Sequence, residues 1–343
     1  MKRDLPVRLD WPGKGATSAT VPAVLITTKK GDPRSVLITG DNLLALSALR
    51  AGGAPAATLA YLDPPFLTGR KHDRVTRHRD TEGRLVRRVS PGFDDRWDGL
   101  DHYLGDLGPR IAEARELLAP HGCLVLHVDS KTSHYAKVLC DEIFGPRAFA
   151  SEIVWRYRRW PSKTQNFQRV HDVLLRYVRD PDVRPRFRQL YEPLAPSTVA
   201  TWGTRKQRAV VDEDGRRARS SRTKDETPGA PLGDVWDIGI VAPVSRERTG
   251  YPTQKPELLL ERLVEACTDP GDVVLDPYSG SGTTAAVSAR MGRSVVAIDA
   301  NADAIAIARD RLGRLGFTAT ERQVSVSRGV RSTAGKRASE SAA

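Results

Sequence analysis

The chain has 343 residues, 39% of them apolar, and its 54 lysines and arginines outnumber its 42 aspartates and glutamates, which gives a net charge of +12. No apolar run approaches the roughly 20 residues that cross a bilayer, and the start of the chain leads into no apolar signal segment. We therefore expect neither a membrane protein nor a secreted protein, and we predict a cytoplasmic one. The length fits one large α/β domain with an insertion, or two modest domains.

The positive charge suggests a polyanionic partner. Much of it lies in residues 156–188 and 205–224, inside the chain, which favours a nucleic acid. Part of it lies in the basic, Ser/Gly-rich residues 328–337, which are predicted to be disordered. A charge that only keeps the protein soluble is the alternative.

Short β-branched runs alternate with helical patterns at both ends of the chain, which is typical of a mostly parallel, doubly wound α/β sheet. The predicted strands span residues 35–39, 58–62, 123–128, 173–178, 272–275 and 294–298. The predicted helices span residues 43–50, 107–118, 133–143, 256–267, 283–291 and 302–315.

The alternation fails in the middle, where residues 151–249 are rich in Arg, Trp, Tyr and Pro. Such a stretch predicts an inserted region with a binding role, and residues 66–96 read as a second irregular segment. The predicted domain organisation is an N-terminal extension (1–30), a catalytic half (31–150), a target-recognition region (151–250), a cofactor-binding half (251–320) and a basic disordered tail (321–343).

The first candidate site is the loop Asp63-Pro64-Pro65-Phe66, directly after the predicted strand 58–62. Ligands of open parallel sheets bind beyond the carboxyl ends of the strands, so Asp63 should project into a crevice. Two prolines remove two N–H donors and leave carboxylate and carbonyl oxygens as acceptors, while Phe66 offers a flat apolar face. This pattern suits an aromatic amine. An ordinary strand-ending turn is the alternative.

The second candidate site begins at Asp276, where the predicted strand 272–275 is followed by Gly280, Gly282 and a helix start. Glycines let the backbone approach a ligand closely, and a helix N-terminus offers free N–H groups. The next strand ends at Asp299, 19 residues after Gly280, a spacing at which a carboxylate reaches ribose hydroxyls. Because the P-loop and the third glycine of the dinucleotide fingerprint are missing, a nucleoside cofactor without a pyrophosphate is favoured.

The cysteines and histidines show no pattern for a metal. Cys123, Cys140 and Cys267 are widely spaced in apolar patterns, which predicts burial in the core. The seven histidines have no metal-ligand spacing, so no metal is predicted.

Together these segments resemble the amino-methyltransferase family of prokaryotic DNA methyltransferases. The family's Asp/Asn/Ser-Pro-Pro-aromatic motif matches residues 63–66, and its Asp-Pro-Phe-x-Gly-Ser-Gly-Thr-Thr motif matches residues 276–284, with Tyr278 in place of Phe. A Pro-Thr-Gln-Lys-Pro element matches residues 252–256. The catalytic loop precedes the cofactor loop, as in the family's permuted members. The resemblance covers about residues 35–315.

The resemblance implies a circularly permuted, Rossmann-like S-adenosylmethionine-dependent methyltransferase fold with an inserted target-recognition region. It implies Asp63, Pro64, Pro65 and Phe66 as the catalytic loop. It implies a nucleoid-associated enzyme that acts on duplex DNA and flips the target base out. The implied residues of the S-adenosylmethionine pocket are Asp41, Thr253, Gln254, Lys255, Asp276, Tyr278, Gly280, Ser281, Gly282, Thr283 and Asp299. For Lys255, a solvated surface position is the alternative.

Residues 151–160 interleave aromatic side chains with arginines, which suits phosphate contact and base stacking. We predict DNA contacts for Arg156, Arg158, Arg159 and Lys163, and core burial for Trp155. Residues 205–224 are interpreted either as a mobile loop that DNA orders or as a disordered insertion.

Asp63 at the first motif position favours methylation of adenine N6, with N4-cytosine as the alternative. A non-catalytic nucleic-acid-binding protein with the same fold is a hypothesis from a different class, and RNA is an alternative substrate. No Pro-Cys dipeptide occurs, so direct transfer without a covalent enzyme intermediate is expected. A homodimer and partner proteins of a restriction or phage-defence system are further expectations.

Overall fold

The computed structural model describes residues 8–11, 14, 22–79, 84–159, 163 and 165–326. Part of the predicted N-terminal extension and residues 327–343 of the predicted tail lie outside these residues. Residues 321–326, which were predicted to belong to the disordered tail, instead form most of a strand that joins the main sheet. The strands are β1 Ala23–Lys29, β2 Ser35–Thr39, β3 Ala57–Leu62, β4 Arg70–Arg79, β5 Leu85–Asp95, β6 Leu118–Asp129, β7 Phe149–Arg156, β8 His171–Val178, β9 Tyr191–Glu192, β10 Arg205–Val211, β11 Arg217–Glu226, β12 Ala230–Pro231, β13 Val235–Asp237, β14 Val273–Asp276, β15 Ser294–Asp299 and β16 Thr320–Val326. The helices are α1 Asn42–Ala51, α2 Leu100–Glu116, α3 Ser133–Phe144, α4 Pro196–Trp202, α5 Glu257–Cys267, α6 Thr283–Arg290 and α7 Ala302–Arg314.

A ten-stranded sheet organises the chain, in the order β1-β16-β2-β15-β14-β3-β6-β8-β7-β13. The strands from β16 to β6 are parallel, whereas β8 runs antiparallel to both β6 and β7. This confirms the mostly parallel α/β sheet.

Helices cover both faces of the sheet, because side chains of successive strand residues point to opposite faces. On β3, Ala60 and Leu62 belong to the core formed with α1, α2 and α3. Leu59 and Tyr61 belong to the core formed with α5. A third cluster packs α6 and α7 against β2 and β15. The sheet is therefore doubly wound.

The sheet reverses its winding between β14 and β3. The chain leaves β14 through α6 to β15 on one side, and it leaves β3 through α2 to β6 on the other. Val274 pairs with Leu59, so both strands end at the same edge. In open α/β sheets, ligands bind in the crevice at such a switch point.

The six predicted strands and six predicted helices are all present, with shifted ends. The largest shift is in α2, which begins at Leu100 rather than residue 107 and contains Pro109 in its interior. The edge strand β1 and its neighbour β16, which also pairs with β2, were not predicted. β1 includes residues of the predicted N-terminal extension.

Two segments predicted to lack regular structure form β-hairpins, and the prediction for residues 66–96 was wrong. β4 pairs with β5 between Arg70 and Asp95, and β10 pairs with β11 between Arg205 and Glu226. Their frequent charged residues hide the two-residue alternation that identifies a strand. The mobile-loop and disordered readings of residues 205–224 are replaced by the second hairpin.

The predicted core residues are buried. Cys123, Cys140 and Cys267 are free, buried cysteines, and Trp155 is 3% exposed with its indole N–H donating to the carbonyl of Ile238 at 2.8 Å. Among the described residues, no helix has the length and apolar character that a membrane span requires.

Candidate active site

The catalytic-loop candidate begins where β3 ends. The Asp63 carboxylate accepts from the Lys255 ammonium, with Nζ 2.6 Å from Oδ1 and a second contact to Oδ2. The same ammonium lies 4.9 Å from the centre of the Phe66 ring. Lys255 is 9% exposed, so the alternative of a solvated surface lysine is wrong. One buried cation thus links Asp63 to Phe66.

A fully buried histidine lies behind this loop, and sequence reasoning missed it. His127 Nδ1 is 2.7 Å from the Tyr61 hydroxyl and 3.8 Å from Asp63 Oδ1. Its Nε2 is 3.5 Å from Asp172 Oδ2, and its ring centre is 5.5 Å from that of Phe66. His127 therefore supports both the carboxylate and the aromatic ring. Its position in an apolar strand gave no signal beyond core packing.

Asp172, on the other side of the His127 ring, is held in its charged form. Burial acts to raise its pKa, but the nearby His127 ring, together with Lys255 and the Tyr157 hydroxyl, outweighs burial and lowers the pKa. Tyr157 donates to Asp172 Oδ1 at 3.0 Å. Asp172 is therefore held as the carboxylate that faces His127.

Asp95, at the end of β5, fixes the far side of the catalytic loop and was also missed. Its carboxylate is 1% exposed and accepts from the Leu67 N–H at 2.8 Å and the Thr68 N–H at 2.9 Å. It also accepts from the Thr68 hydroxyl and the Trp97 indole. Leu67 has a φ of 57°, a conformation that non-glycine residues rarely adopt. Asp95 thereby stabilises a strained turn immediately after Phe66.

The glycine loop lies across the crevice, between β14 and α6. Gly280 has a φ of 48° and donates its N–H to Asp299 Oδ2 at 2.8 Å. Asp299 Oδ1 accepts from the Asn301 N–H at 2.8 Å, and burial raises the pKa of this carboxyl. The loop and the end of β15 are therefore joined through one partly buried carboxylate.

Gly282 has a packing role in addition to the cofactor contact predicted for it, which stays a prediction. Its φ is 70°, and a side-chain carbon there would lie 2.5 Å from the Ala308 Cβ of α7. Glycine is thus required by the close approach of α7. Gly282 does not line the cavity described below.

Asp276, the last residue of β14, is 2% exposed. Its pKa is raised to about 7, mainly by burial; hydrogen bonds from the Thr284 side chain and the Tyr278 N–H oppose the rise, and the nearby charges of Asp63 and Asp299 add to it. This carboxyl therefore changes charge near neutral pH.

The Thr253–Gln254–Lys255 segment crosses from the glycine loop to the catalytic loop. Thr253 has a φ of 57°. The Gln254 amide donates to the Glu247 carbonyl at 2.7 Å and accepts from the Thr249 N–H at 2.8 Å. The Thr283 hydroxyl donates to the Lys255 carbonyl at 3.2 Å. These contacts place the Lys255 side chain over Asp63.

Asp41 caps α1 at the opposite end of the crevice. It accepts from the Leu44 N–H at 3.0 Å and from Arg110 at 3.0 Å. Arg110 also contacts Asn42 at 2.6 Å and Asp106 at 2.6 Å. Sequence reasoning missed Arg110 and Asp106 because nothing in a helical pattern separates a buried ion pair from a surface one.

These groups line one cavity of about 380 Å³, which we call the acidic cavity. Its lining includes seven aspartates and two permanent cations, Lys255 and Arg110, both of which are paired with lining aspartates. Asp276 and Asp299 form no ion pair within the described residues, so the cavity suits a ligand with positive charge. The predicted site residues on its wall are Asp41, Asp63, Pro64, Pro65, Phe66, Thr253, Gln254, Lys255, Asp276, Tyr278, Gly280, Ser281, Thr283 and Asp299.

A larger groove of about 1600 Å³ adjoins this cavity and shares Phe66, Thr68, His72 and residues 253–255 with it. We call it the basic groove, because six lysines and arginines line it against two aspartates, Asp129 and Asp172. A groove of this charge suits a polyanion. Its cations are Arg70, Lys131, Arg158, Arg159, Arg169 and Lys255.

The predicted DNA contacts divide into two pairs. Arg158 and Arg159 line the basic groove, and the Arg159 guanidinium lies 5.1 Å from the Tyr157 ring centre. Arg156 is exposed, forms an ion pair with Asp237, and is outside the groove lining. Lys163 is exposed and also outside it.

The doubly wound sheet, the two loops at its switch point and the acidic cavity define a methyltransferase of Rossmann-like fold. The DNA methylase family model for N6 and N4 methyltransferases matches residues 57–310. The chain belongs to this N6/N4 DNA methylase family and is an S-adenosylmethionine-dependent DNA methyltransferase.

Known relatives match over most of the chain. It is 27% identical over 286 residues to the DNA adenine methyltransferase YhdJ of Escherichia coli (strain K12), which covers 83% of this chain and 85% of YhdJ. It is 26% identical over 268 residues to the type II methyltransferase M.HpaI of Haemophilus parainfluenzae, covering 78% of this chain and 72% of M.HpaI.

Among solved structures, the chain is similar in fold to the cytosine-N4-specific PvuII DNA methyltransferase. The TM-score is 0.53 at 15% sequence identity, covering 83% of this chain and 90% of the other. The expected methyltransferase fold is therefore confirmed.

Proposed function

We propose that the chain methylates N6 of adenine at a specific sequence in double-stranded DNA, after the target base has been flipped out of the helix. The observation that carries the proposal is the position of the loop from Asp63 to Phe66, where the acidic cavity meets the basic groove. A base that enters from the groove reaches Phe66 first, and the cofactor approaches Asp63 from the cavity.

The loop provides the acceptors that an aromatic amine needs. The amine lone pair is delocalised into the base, and it becomes available when the two N–H bonds are held by the Asp63 carboxylate and the Pro64 carbonyl. The base stacks on Phe66, whose ring is supported by His127. The lone pair then attacks the methyl carbon, and the amine gives up one proton, which Asp63 is placed to accept.

S-adenosylmethionine supplies a methyl group on a positively charged sulfur, which leaves as a neutral thioether. The acidic cavity fits this charge, because the buried Asp276 and the partly buried Asp299 lack a protein counter-ion among the described residues. We assign Asp299 and the Gly280 loop to the nucleoside part of the cofactor and Asp41 to the opposite wall. The buried cysteines take no part in direct transfer.

Lys255 lies where the amine must donate. Its ammonium contacts both oxygens of Asp63, so an incoming base shares this carboxylate with Lys255 or displaces it. We assign Lys255 to the catalytic loop as well as to the cavity wall. Its positive charge keeps Asp63 paired until the amine arrives.

DNA is the partner that the basic groove favours. Arg158 and Arg159 are assigned to phosphate contacts, because phosphate neutralisation dominates the affinity of DNA-binding proteins. Arg156 and Lys163 remain predicted DNA contacts, and we expect each to contribute less to DNA affinity than Arg158 or Arg159. Flipping follows from the burial of Asp63, since an amine inside a base-paired helix does not reach it.

Adenine is favoured over cytosine by two observations. Asp63 stands where members with N4-cytosine activity more often have serine, and the relative YhdJ is named as an adenine methyltransferase. A homodimer and a restriction or phage-defence partner stay predictions, which co-purification and sizing of the native protein test.

The test is to express the chain in a host without endogenous DNA methylation and to sequence the genomic DNA with a method that reports modified bases. Digestion to nucleosides should give N6-methyladenine, at one recurring sequence. Asp63→Ala should give none while still binding S-adenosylmethionine. N4-methylcytosine alone would contradict the adenine assignment, and unmodified DNA would contradict the proposed function.

A further inference from the structure

Phe167 is an aromatic residue that has no packing partner among the residues that the structure describes. Its side chain is 97% exposed, whereas the other aromatic residues of the basic groove, such as Trp155 and Tyr157, are 3% and 4% exposed. Exposure of this much apolar surface forgoes the free energy that burial gives. The ring is therefore available to a partner outside the chain.

The segment around Phe167 is otherwise polar and belongs to the groove wall. Gln165, Asn166, Gln168 and Arg169 line the groove together with Phe167. The Phe167 N–H donates to the Asn166 side chain at 2.8 Å, which is a local turn contact. A single aromatic ring thus stands among groups that suit a phosphate backbone.

The groove wall also contains Phe66 of the catalytic loop and Lys255, which pairs with Asp63 of that loop. A duplex in this groove would bring one base pair to that loop, and the flipped base would leave a gap in the stack. Unstacking costs free energy, and proteins that distort DNA offset this cost with apolar side chains that enter between the bases. An aromatic ring stacks on any base because every base has a flat π face.

We propose that Phe167 is a wedge that enters the duplex and fills the stack position left by the flipped base. The proposal rests on the proposed function, and it assigns to this chain a positioning residue for base flipping that none of the motifs contains. Phe167 does not touch the reacting atoms. It stabilises the duplex from which the base has been removed.

The experiment compares Phe167→Ala with the wild type on two duplexes that carry the recognition sequence mapped by the sequencing test. In one, the target base is paired; in the other, it faces an abasic site and is already unpaired. On the paired duplex, kcat/KM should fall about tenfold, which matches the loss of one stacking contact. On the unpaired duplex the loss should largely disappear. Phe167→Trp should retain activity on both.

Val244→Ala is the matched control, because Val244 is 92% exposed but lies outside the groove lining. A second measurement places 2-aminopurine at the target position, where its fluorescence rises when the base leaves the stack. The wild type should raise this fluorescence on the paired duplex, and Phe167→Ala should raise it less.

The outcomes separate the wedge from other roles. An equal loss on both duplexes would assign Phe167 to DNA contact or to folding and overturn the wedge. Activity like that of Val244→Ala would overturn it as well, and would leave the ring for a protein partner. In both cases the wild type still methylates its site, so the proposed function stands. If the wild-type protein left the DNA unmodified, both the proposed methyltransferase function and the Phe167 wedge would be overturned.

Discussion

The acidic cavity and the basic groove share one crevice but have opposite charge. Seven aspartates line the cavity, and six lysines and arginines line the groove. The two meet at Phe66 and Lys255, beside the Asp63 carboxylate. Cofactor and DNA also have opposite charge, so each is attracted to its own side and repelled from the other. The ion pair of Lys255 with Asp63 marks the border, which is where methyl transfer must take place.

Asp63→Asn is the change with the largest expected effect. The amide loses the charge that pairs with Lys255 and presents a donor to the amine, so kcat should fall by about 10²- to 10³-fold. Binding of S-adenosylmethionine and DNA should change little, because each has its own side of the crevice. Single-turnover methylation and calorimetry measure the two effects. A matching loss of cofactor affinity would show that the Asp63 charge also contributes to cofactor binding.

Asp299→Asn should weaken binding of S-adenosylmethionine and leave DNA binding unchanged. Both carboxylate oxygens accept a backbone N–H, from Gly280 and Asn301, and an amide would turn its own donor toward one of them. We expect the Kd for S-adenosylmethionine to rise about 10- to 100-fold, with unchanged DNA affinity. Asp310→Asn, at an exposed position of α7, is the control. Weaker DNA binding in the Asp299 variant would contradict the separation of the two sides.

Asp276 should make cofactor binding depend on pH. Its pKa is about 7, and a cationic ligand favours its ionised form, so the Kd should rise as pH falls below 7, by at most about tenfold per unit. Folding stability has the opposite sign: the unfolded carboxyl ionises near 3.8, so the free energy of unfolding decreases as pH rises from about 4 to 7. Calorimetry in buffers of different ionisation enthalpy measures the proton release. A pH dependence that persists in Asp276→Asn would assign it to another group.

Arg158→Ala should weaken DNA binding and leave cofactor binding unchanged. Of the four substitutions, it should have the smallest effect. Loss of one phosphate contact lowers the slope of log affinity against log salt by about 0.9. Fluorescence anisotropy between about 50 and 200 mM salt measures it. Arg314→Ala is the control, because Arg314 is an exposed residue of α7 outside the groove lining. Arg156→Ala should change the slope less than Arg158→Ala, because Asp237 pairs with Arg156. Equal slopes for the Arg158 and Arg314 variants would remove Arg158 from the interface.

The cavity was largely predictable from sequence and the groove was not. Asp63, Asp276 and Asp299 each follow a buried strand, and the carboxyl ends of parallel strands meet at one edge. The groove combines residues from distant loops, such as Arg70 and Arg169, whose approach no local pattern encodes. The hairpins escaped prediction because their charged residues mask the strand period.

Residues that support the site were also hidden in the sequence. His127 lies in a strand and resembles any core residue, and Asp95 lies in the segment predicted to be irregular. Their roles depend on contacts with residues 66 and 28 positions away in the chain, respectively. Such contacts arise only when the sheet and the hairpin bring the strands together.

The anchoring of the catalytic loop by Asp95 has a consequence for evolutionary change. The described hydrogen bonds of the Asp95 side chain join the base of the β4–β5 hairpin to Leu67, Thr68 and Trp97. Insertions, deletions or new side chains further along the hairpin therefore leave these bonds in place. The outer part of the β4–β5 hairpin can therefore change in sequence and length without moving the catalytic loop, so methyl transfer does not depend on that part of the surface.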